Sequence, residues 1–293
     1  MKIYDRQLKK TIEEKDYNTL PVKLLYNNIL GRTIVKTILV KKTISKLNGK
    51  RYSSKRSVRI IPKFIKKHQI NMEDYPVVEY KSFNDFFKRI KKEEYINIDT
   101  NPDSFISPCD CKLSVYKASE NTFKIKGVSY DLELLLKSKF LAQDYKDGYV
   151  VVCRLTPDNY HRYCYIDNGY HDANKKIKGN LNTVRPIATT KKDVFITNAR
   201  SYTVLDTSNF GQVIQIEVGA LMVGKIKNNY TNHSFKKGEE KGFFEYGGST
   251  IILLVKNDKV KIDNYLLNNT KNGYETIVSI GDKIGVKRWR REY

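Results

Sequence analysis

The chain has 293 residues, enough for one large domain or two modest ones, and well beyond the size at which disulfides or metals must stand in for a core. Hydrophobic residues make up 40% and aromatics 12%, with only 16 Gly and 7 Pro, which excludes a mainly disordered, collagen-like or low-complexity chain. The formal charge of +22, from 54 Lys and Arg against 32 Asp and Glu, points to a phosphate-bearing partner, nucleic acid or anionic lipid, without choosing between them.

The opening residues Met1 to Arg6 lack the apolar core of a secretory signal, and no run approaches the ~18 apolar residues of a spanning helix. Four cysteines, Cys109, Cys111, Cys153 and Cys164, then suggest a reducing compartment rather than a disulfide framework. The expectation is a cytoplasmic protein, or one attached peripherally to the cytoplasmic side of the cell membrane.

Residues 17–70 hold fourteen Lys or Arg and no Asp or Glu. Among them Leu24, Leu25, Ile29, Leu30, Ile34, Val35, Ile38 and Leu39 recur at helical spacing, so the stretch reads as basic amphipathic helix. Such a helix suits a membrane interface. An ordinary core-packed segment with a solvated outer face fits equally well, and nucleic-acid binding less well, since no zinc-finger, helix-turn-helix or RNP pattern accompanies the charge.

A second helix is predicted over about 82–92, with Ser82 as N-cap ahead of Phe83, Phe86, Phe87 and Ile90. From about residue 105 short apolar or alternating runs take over: Tyr149 to Leu155, Val213 to Val218 and Thr250 to Val255 read as strands, with a helical patch at about 130–140. Gly238-Glu239-Glu240-Lys241-Gly242 is echoed by Gly281-Asp282-Lys283-Ile284-Gly285, a weak sign of two similar β units. The predicted class is α+β: a basic helical, membrane-associating N-terminal part over residues 1–100, then a β-rich catalytic domain over 101–293.

Conventional catalytic motifs are missing. The four histidines, His68, His161, His171 and His233, accompany no Gly-x-Ser-x-Gly, Walker A, His-Glu-x-x-His or dinucleotide fingerprint. Three segments remain: Ser107-Pro108-Cys109-Asp110-Cys111, Pro157 to Cys164 around Tyr160-His161-Arg162, and Gly247-Gly248-Ser249-Thr250. Each alone reads as readily as a turn, a structural histidine or a glycine turn into a buried strand. Cys-x-Cys with Cys153 and Cys164 offers zinc ligands, but the spacing is that of neither a zinc ribbon nor a finger.

In these segments the sequence resembles phosphatidylserine decarboxylase, the pyruvoyl-dependent enzyme of phosphatidylethanolamine synthesis. The similar stretches run from Phe83-Asn84-Asp85-Phe86-Phe87 through the Ser-Pro-x-Asp segment, Ile125 to Tyr130, Tyr160-His161-Arg162 and Asn198-x-Arg200. They continue to Val218-Gly219-Ala220 with Val223-Gly224, Lys237-Gly238-Glu239 and Gly248-Ser249-Thr250. The likeness covers the chain from about residue 70 onward.

The resemblance implies a precursor that cuts itself between Gly248 and Ser249. The Ser249 hydroxyl attacks the Gly248 carbonyl, and elimination with loss of ammonia converts the serine to a pyruvoyl group. It implies Asp110, His161 and Ser249 as catalytic residues, no metal and no pyridoxal phosphate. In turnover the ketone forms a Schiff base with the amine of phosphatidylserine and takes the electrons released with carbon dioxide, and His161 returns a proton. The large and small chains stay associated, a homo-oligomer is allowed, and no nucleic acid is expected. The basic N-terminal part then meets the anionic membrane that carries the substrate.

Several positions depart from the commoner family pattern. Cys164 stands where many relatives have a second histidine, Cys111 where a glycine usually follows the aspartate, Asn159 for a frequent aspartate and Gly247 for a frequent leucine. His161 then serves both maturation and turnover, or Cys164 or His171 assists. Two rivals remain: a basic lipid- or nucleic-acid-binding protein with a decayed site, and a pyruvoyl decarboxylase of a soluble amino acid.

Overall fold

The computed structural model describes residues 2–13, 49–125, 128–181, 194–219, 225–245 and 249–289. The amphipathic stretch from Leu24 to Leu39 lies outside these residues. So do Gly247 and Gly248, and the Lys126-Gly127, Ala220 and Val223-Gly224 parts of the resemblance.

Among the described residues eleven strands form one sheet. From one edge its order is His233–Phe235, Gly169–His171, Arg200–Thr207, Gly211–Val218, Ser249–Val255, Tyr149–Leu155, Cys111–Lys117, Glu275–Val278, Lys2–Asp5 and Lys10–Glu13, while Lys175–Ile177 also pairs with Arg200–Thr207. Neighbours are antiparallel except Lys2–Asp5, which runs parallel to Glu275–Val278. The Tyr149 and Ser249 strands read as near-continuous apolar runs because both faces are covered; every residue from Ser249 to Val255 is buried. Helix and strand contents make the architecture mixed α+β, with β structure dominating.

The strand expectations hold closely: Tyr149–Leu155 matches, and the other two extend only to Gly211–Val218 and Ser249–Val255. The helices come out shorter than predicted. Ser82 caps the second one, its Oγ accepting from Asp85 N at 3.1 Å, but the helix covers only Phe83–Phe87. Beyond it the Arg89 guanidinium is drawn over the rings of Tyr75 and Phe86, 4.5 and 4.8 Å from their centroids, and the chain leaves the helical path. The 130–140 patch splits into Leu132–Leu136 and Lys139–Asp144, because Lys137 adopts a left-handed conformation (φ 53°) and Ser138 caps a new start.

Of the basic stretch, residues 49–70 are described. Helix Ile61–His68 buries Ile61, Phe64 and His68, and Phe64 packs edge-on to Phe83 at 4.9 Å. Ile61, Phe64 and Phe83 belong to the same core cluster as the strands. The outer face carries exposed Arg51, Lys55, Arg56, Arg59, Lys63, Lys66 and Lys67.

The two glycine-flanked echoes make the same turn. Gly238 N donates to Tyr165 O and Tyr165 N to Glu239 O; Gly281 N donates to Ser107 O and Ser107 N to Asp282 O. In each, the acidic side chain accepts from a backbone N–H three residues earlier, Lys236 N to Glu239 and Ser279 N to Asp282. Both glycines have φ near +80° and both abut Ile98, where a Cβ on Gly281 would lie 2.3 Å from the Asn97 carbonyl oxygen.

Candidate active site

The sheet brings the three segments to one end. Ser249 opens its strand directly opposite Leu155, the last residue of the Tyr149 strand. The chain leaving Leu155 turns through Thr156 to Asn159 and reaches His161. On the other side of residues 246–248, Phe244 N donates to the His161 carbonyl at 2.9 Å, and Arg162–Cys164 pairs with Glu240–Phe244. The Cys111 strand, with Asp110 just before it, lies on the far side of the Tyr149 strand, Lys112 opposite Arg154.

Ser249 is fully buried, and neither its Oγ nor Thr250 Oγ1 has a hydrogen-bond partner among the described residues. A buried hydroxyl ordinarily finds one. His161 is 1% exposed, and its ring lies against Phe87 at 4.1 Å between centroids. Its Nδ1 stands 2.8 Å from the Asn159 carbonyl oxygen. A carbonyl can only accept, so Nδ1 carries a proton and Nε2 is the nitrogen that can act as a base when the ring is neutral.

Asn159 builds the turn that sets this geometry. Its Oδ1 accepts from both Thr156 N and Thr156 Oγ1 at 2.8 Å, a role that needs only an acceptor and that an amide fills as well as a carboxylate. Sequence alone marked Asn159 as a departure and gave no hint of this task.

Asp110 bonds elsewhere than to the imidazole. Its Oδ2 accepts from Lys91 Nζ at 2.7 Å and its Oδ1 from Ile280 N at 2.8 Å. Lys91 was missed in the sequence because nothing in a lysine-rich run distinguishes it. The pair borders a cavity of about 390 Å³, also lined by His68, Lys112, Asp158 and Asn159. Lys112 Nζ donates to Thr156 Oγ1 at 3.1 Å.

Cys164 is held in place by its backbone, its N–H donating to the Pro108 carbonyl at 2.8 Å. Burial pushes its thiol up to about 12, so it stays protonated and is a poor base. His171 sits three strands away from Ser249, its Nε2 2.8 Å from Tyr165 Oη. Burial and the neighbouring Lys241 charge lower its pKa. The other three cysteines, Cys109, Cys111 and Cys153, cluster with their sulfurs within 4.8 Å of one another. Burial, together with contact with Cys153, raises Cys109 and Cys111, while Cys153, accepting from both, is lowered.

Comparison with known proteins gives a consistent picture. The family model described as phosphatidylserine decarboxylase matches residues 83–286. The chain is 44% identical over 284 residues to "Phosphatidylserine decarboxylase proenzyme 2" of Clostridium acetobutylicum, covering 97% of each. It is 39% identical over 293 residues to a phosphatidylserine decarboxylase proenzyme of Clostridium botulinum, covering 98% of this chain and 99% of the relative. A further proenzyme of that name, from Clostridium novyi, is 37% identical with 98% and 99% coverage.

Proposed function

Because the chain belongs to the phosphatidylserine decarboxylase family, we propose that it is a proenzyme that cuts itself between Gly248 and Ser249 and then converts phosphatidylserine to phosphatidylethanolamine and carbon dioxide. The observation that carries the reading is the pairing on either side of residues 246–248, Phe244 on the His161 carbonyl and Ser249 on Leu155. Ser249 is thereby anchored in the eleven-stranded sheet, and His161 beside the Arg162–Cys164 strand of a separate three-stranded sheet.

Maturation needs a base, since a hydroxyl is a weak nucleophile until its proton is taken. His161 suits that task through Nε2, with Nδ1 committed to Asn159. As Ser249 Oγ bonds to the Gly248 carbonyl carbon, the amide C–N bond breaks and the proton held by His161 passes to the amide nitrogen. Loss of the Ser249 α-proton then expels the new Gly248 carboxylate, and water replaces ammonia at the same carbon. The Ser249 oxygen thus leaves within the Gly248 carboxylate, its β-carbon becomes the methyl of the pyruvoyl group, and the ketone oxygen comes from water.

The pyruvoyl group, once formed, supplies an electrophilic carbonyl that accepts the substrate amine and withdraws the electrons left by departing carbon dioxide. His161 is the acid that returns a proton to the former α-carbon. Phe87 shields the ring from water on one face. Asp110, braced by Lys91 and the Ile280 N–H, supplies a fixed negative charge at the edge of the adjoining cavity.

No described helix is long and apolar enough to cross a membrane. The basic part, residues 1–100, provides peripheral attachment to anionic lipid on the cytoplasmic side. The exposed cations from Arg51 to Lys67 support this assignment, each contributing about 1 kcal/mol near such a surface. Intact-mass measurement of the purified protein beside Ser249→Ala tests the whole reading. Two chains are expected, the smaller with a carbonyl-reactive blocked terminus, and an uncut variant; lipid-active material consisting of one continuous chain overturns it.

A further inference from the structure

The three clustered cysteines have no part in the chemistry above. Cys109 lies in the turn before Asp110, Cys111 begins its strand, and Cys153 sits on the neighbouring strand opposite Leu113. That register puts Cys111 and Cys153 diagonally across one face of the sheet, close enough for their side chains to meet. All three are at most 1% exposed, and none is in a disulfide. Packing a small apolar side chain does not require sulfurs from three backbone positions to converge within 4.8 Å of one another.

The geometry points to a metal site: we propose that Cys109, Cys111 and Cys153 bind one zinc ion as a three-thiolate set. With Zn–S bonds of about 2.3 Å the sulfurs of a tetrahedral site stand about 3.8 Å apart, so the trio closes with shifts of less than about 1 Å. Soft thiolates select zinc over the hard divalent cations. Three protein ligands leave a fourth position, and beside the cluster lies Ser107 Oγ, 3.9 Å from Cys111 Sγ and donating to the Cys109 carbonyl at 2.8 Å. Binding forms three Zn–S bonds, and each sulfur still protonated loses its proton to solvent, with no electron transferred.

The site departs from the metal-free expectation drawn from spacing. Cysteine spacing along the chain resembles no zinc motif, because the third ligand arrives through strand pairing rather than through sequence proximity. Its consequence is local: Asp110 lies between two ligands, so the ion fixes the turn that carries the carboxylate. Since the sulfurs are buried, zinc enters as the chain folds.

The test measures metal and is independent of lipid activity and of self-cleavage. The full-length protein is produced with zinc supplementation, and again in zinc-depleted cells supplied with cobalt(II), so that the metal is present as the chain folds. Expected are about one equivalent of zinc and a sulfur-to-cobalt charge-transfer absorption that excess zinc abolishes. Cys153→Ala is expected to weaken metal binding at least about tenfold. Folded wild-type protein holding no zinc and showing no cobalt–sulfur absorption overturns the proposal, whether or not the variant folds. Equal zinc in wild type and a folded Cys153→Ala overturns it as well.

Discussion

Lys91 Nζ and Asp110 Oδ2 form an ion pair at 2.7 Å whose side chains are only 11% and 13% exposed. It is closed off further by the rings beside it: Lys91 lies 5.4 Å from the centroid of the Tyr160 ring. Removing one partner leaves a largely buried charge uncompensated, which costs about 3 kcal/mol. Lys91→Met is therefore expected to lower the urea midpoint markedly, with Lys91→Arg much milder; an unchanged midpoint for the methionine variant would remove the pair from the stability account.

The same pair gives a pH dependence. Burial opposes the Lys91 charge, but the Asp110 carboxylate and its hydrogen bond more than offset that, and the folded-state pKa is raised. A raised folded value means the contribution is present in full below the ordinary lysine value of ~10.4 and fades as pH climbs through the folded one. The stability gap between wild type and Lys91→Met should thus be constant from neutral pH to about 10 and narrow above it. A gap that instead changes between neutral pH and about 9 contradicts this assignment.

His161→Gln preserves approximate shape and removes the base. Precursor processing, followed on denaturing gels, should slow by roughly 10²–10⁴-fold. Cys164→Ala, which removes a thiol that burial holds protonated, should process at nearly the wild-type rate. Were the cysteine variant the slower of the two, the base would have to be sought at Cys164.

Arg154 grips Glu275 through both Nε and Nη2 across the Cys111 strand, with the two side chains 9% and 12% exposed. After cutting, these residues belong to different chains. Glu275→Gln should destabilise the assembled protein by about 3–5 kcal/mol and lower the denaturant concentration at which the chains separate. Separation at the same concentration as wild type argues against a clamp.

Vesicle sedimentation probes the basic face. Binding to phosphatidylserine vesicles should be strong at low salt and fall as the screening length shrinks from about 10 Å at 0.1 M to about 3 Å at 1 M. Binding to phosphatidylethanolamine vesicles, whose head group has no net charge, should be weaker throughout. Replacing Lys63, Lys66 and Lys67 by Gln should reduce the salt-sensitive part; salt-independent binding equal for both lipids would point to apolar attachment.

What the sequence disclosed was local or repeated. Apolar runs located the central strands to within two residues, and Ser82 marked a real cap, since both signals come from neighbours in the chain. The Gly238 and Gly281 echo was visible because identical turns demand the same glycine and acid. Hidden were contacts between residues far apart in the chain: Lys91 on Asp110, Arg154 on Glu275, and Cys153 among Cys109 and Cys111. Helix ends were misjudged where a tertiary contact overrode propensity, as Arg89 shows. Ser249 and His161 were found through motif likeness, but the acceptor for His161 Nδ1 is a backbone carbonyl, which no side-chain pattern could indicate.

The strand order carries a consequence for the sequence of events in the protein's life. Residues after the proposed cut supply the Ser249 strand, held between Gly211–Val218 and Tyr149–Leu155, and the Glu275 strand, held between Cys111–Lys117 and Lys2–Asp5. Two interior slots would stand vacant were the pieces made apart, and filling them would become a bimolecular search without the high effective concentration of a tether. Folding must therefore run to completion on the unbroken chain, and the cut then becomes a one-way step: a mature molecule that unfolds has lost the connection that let it fold.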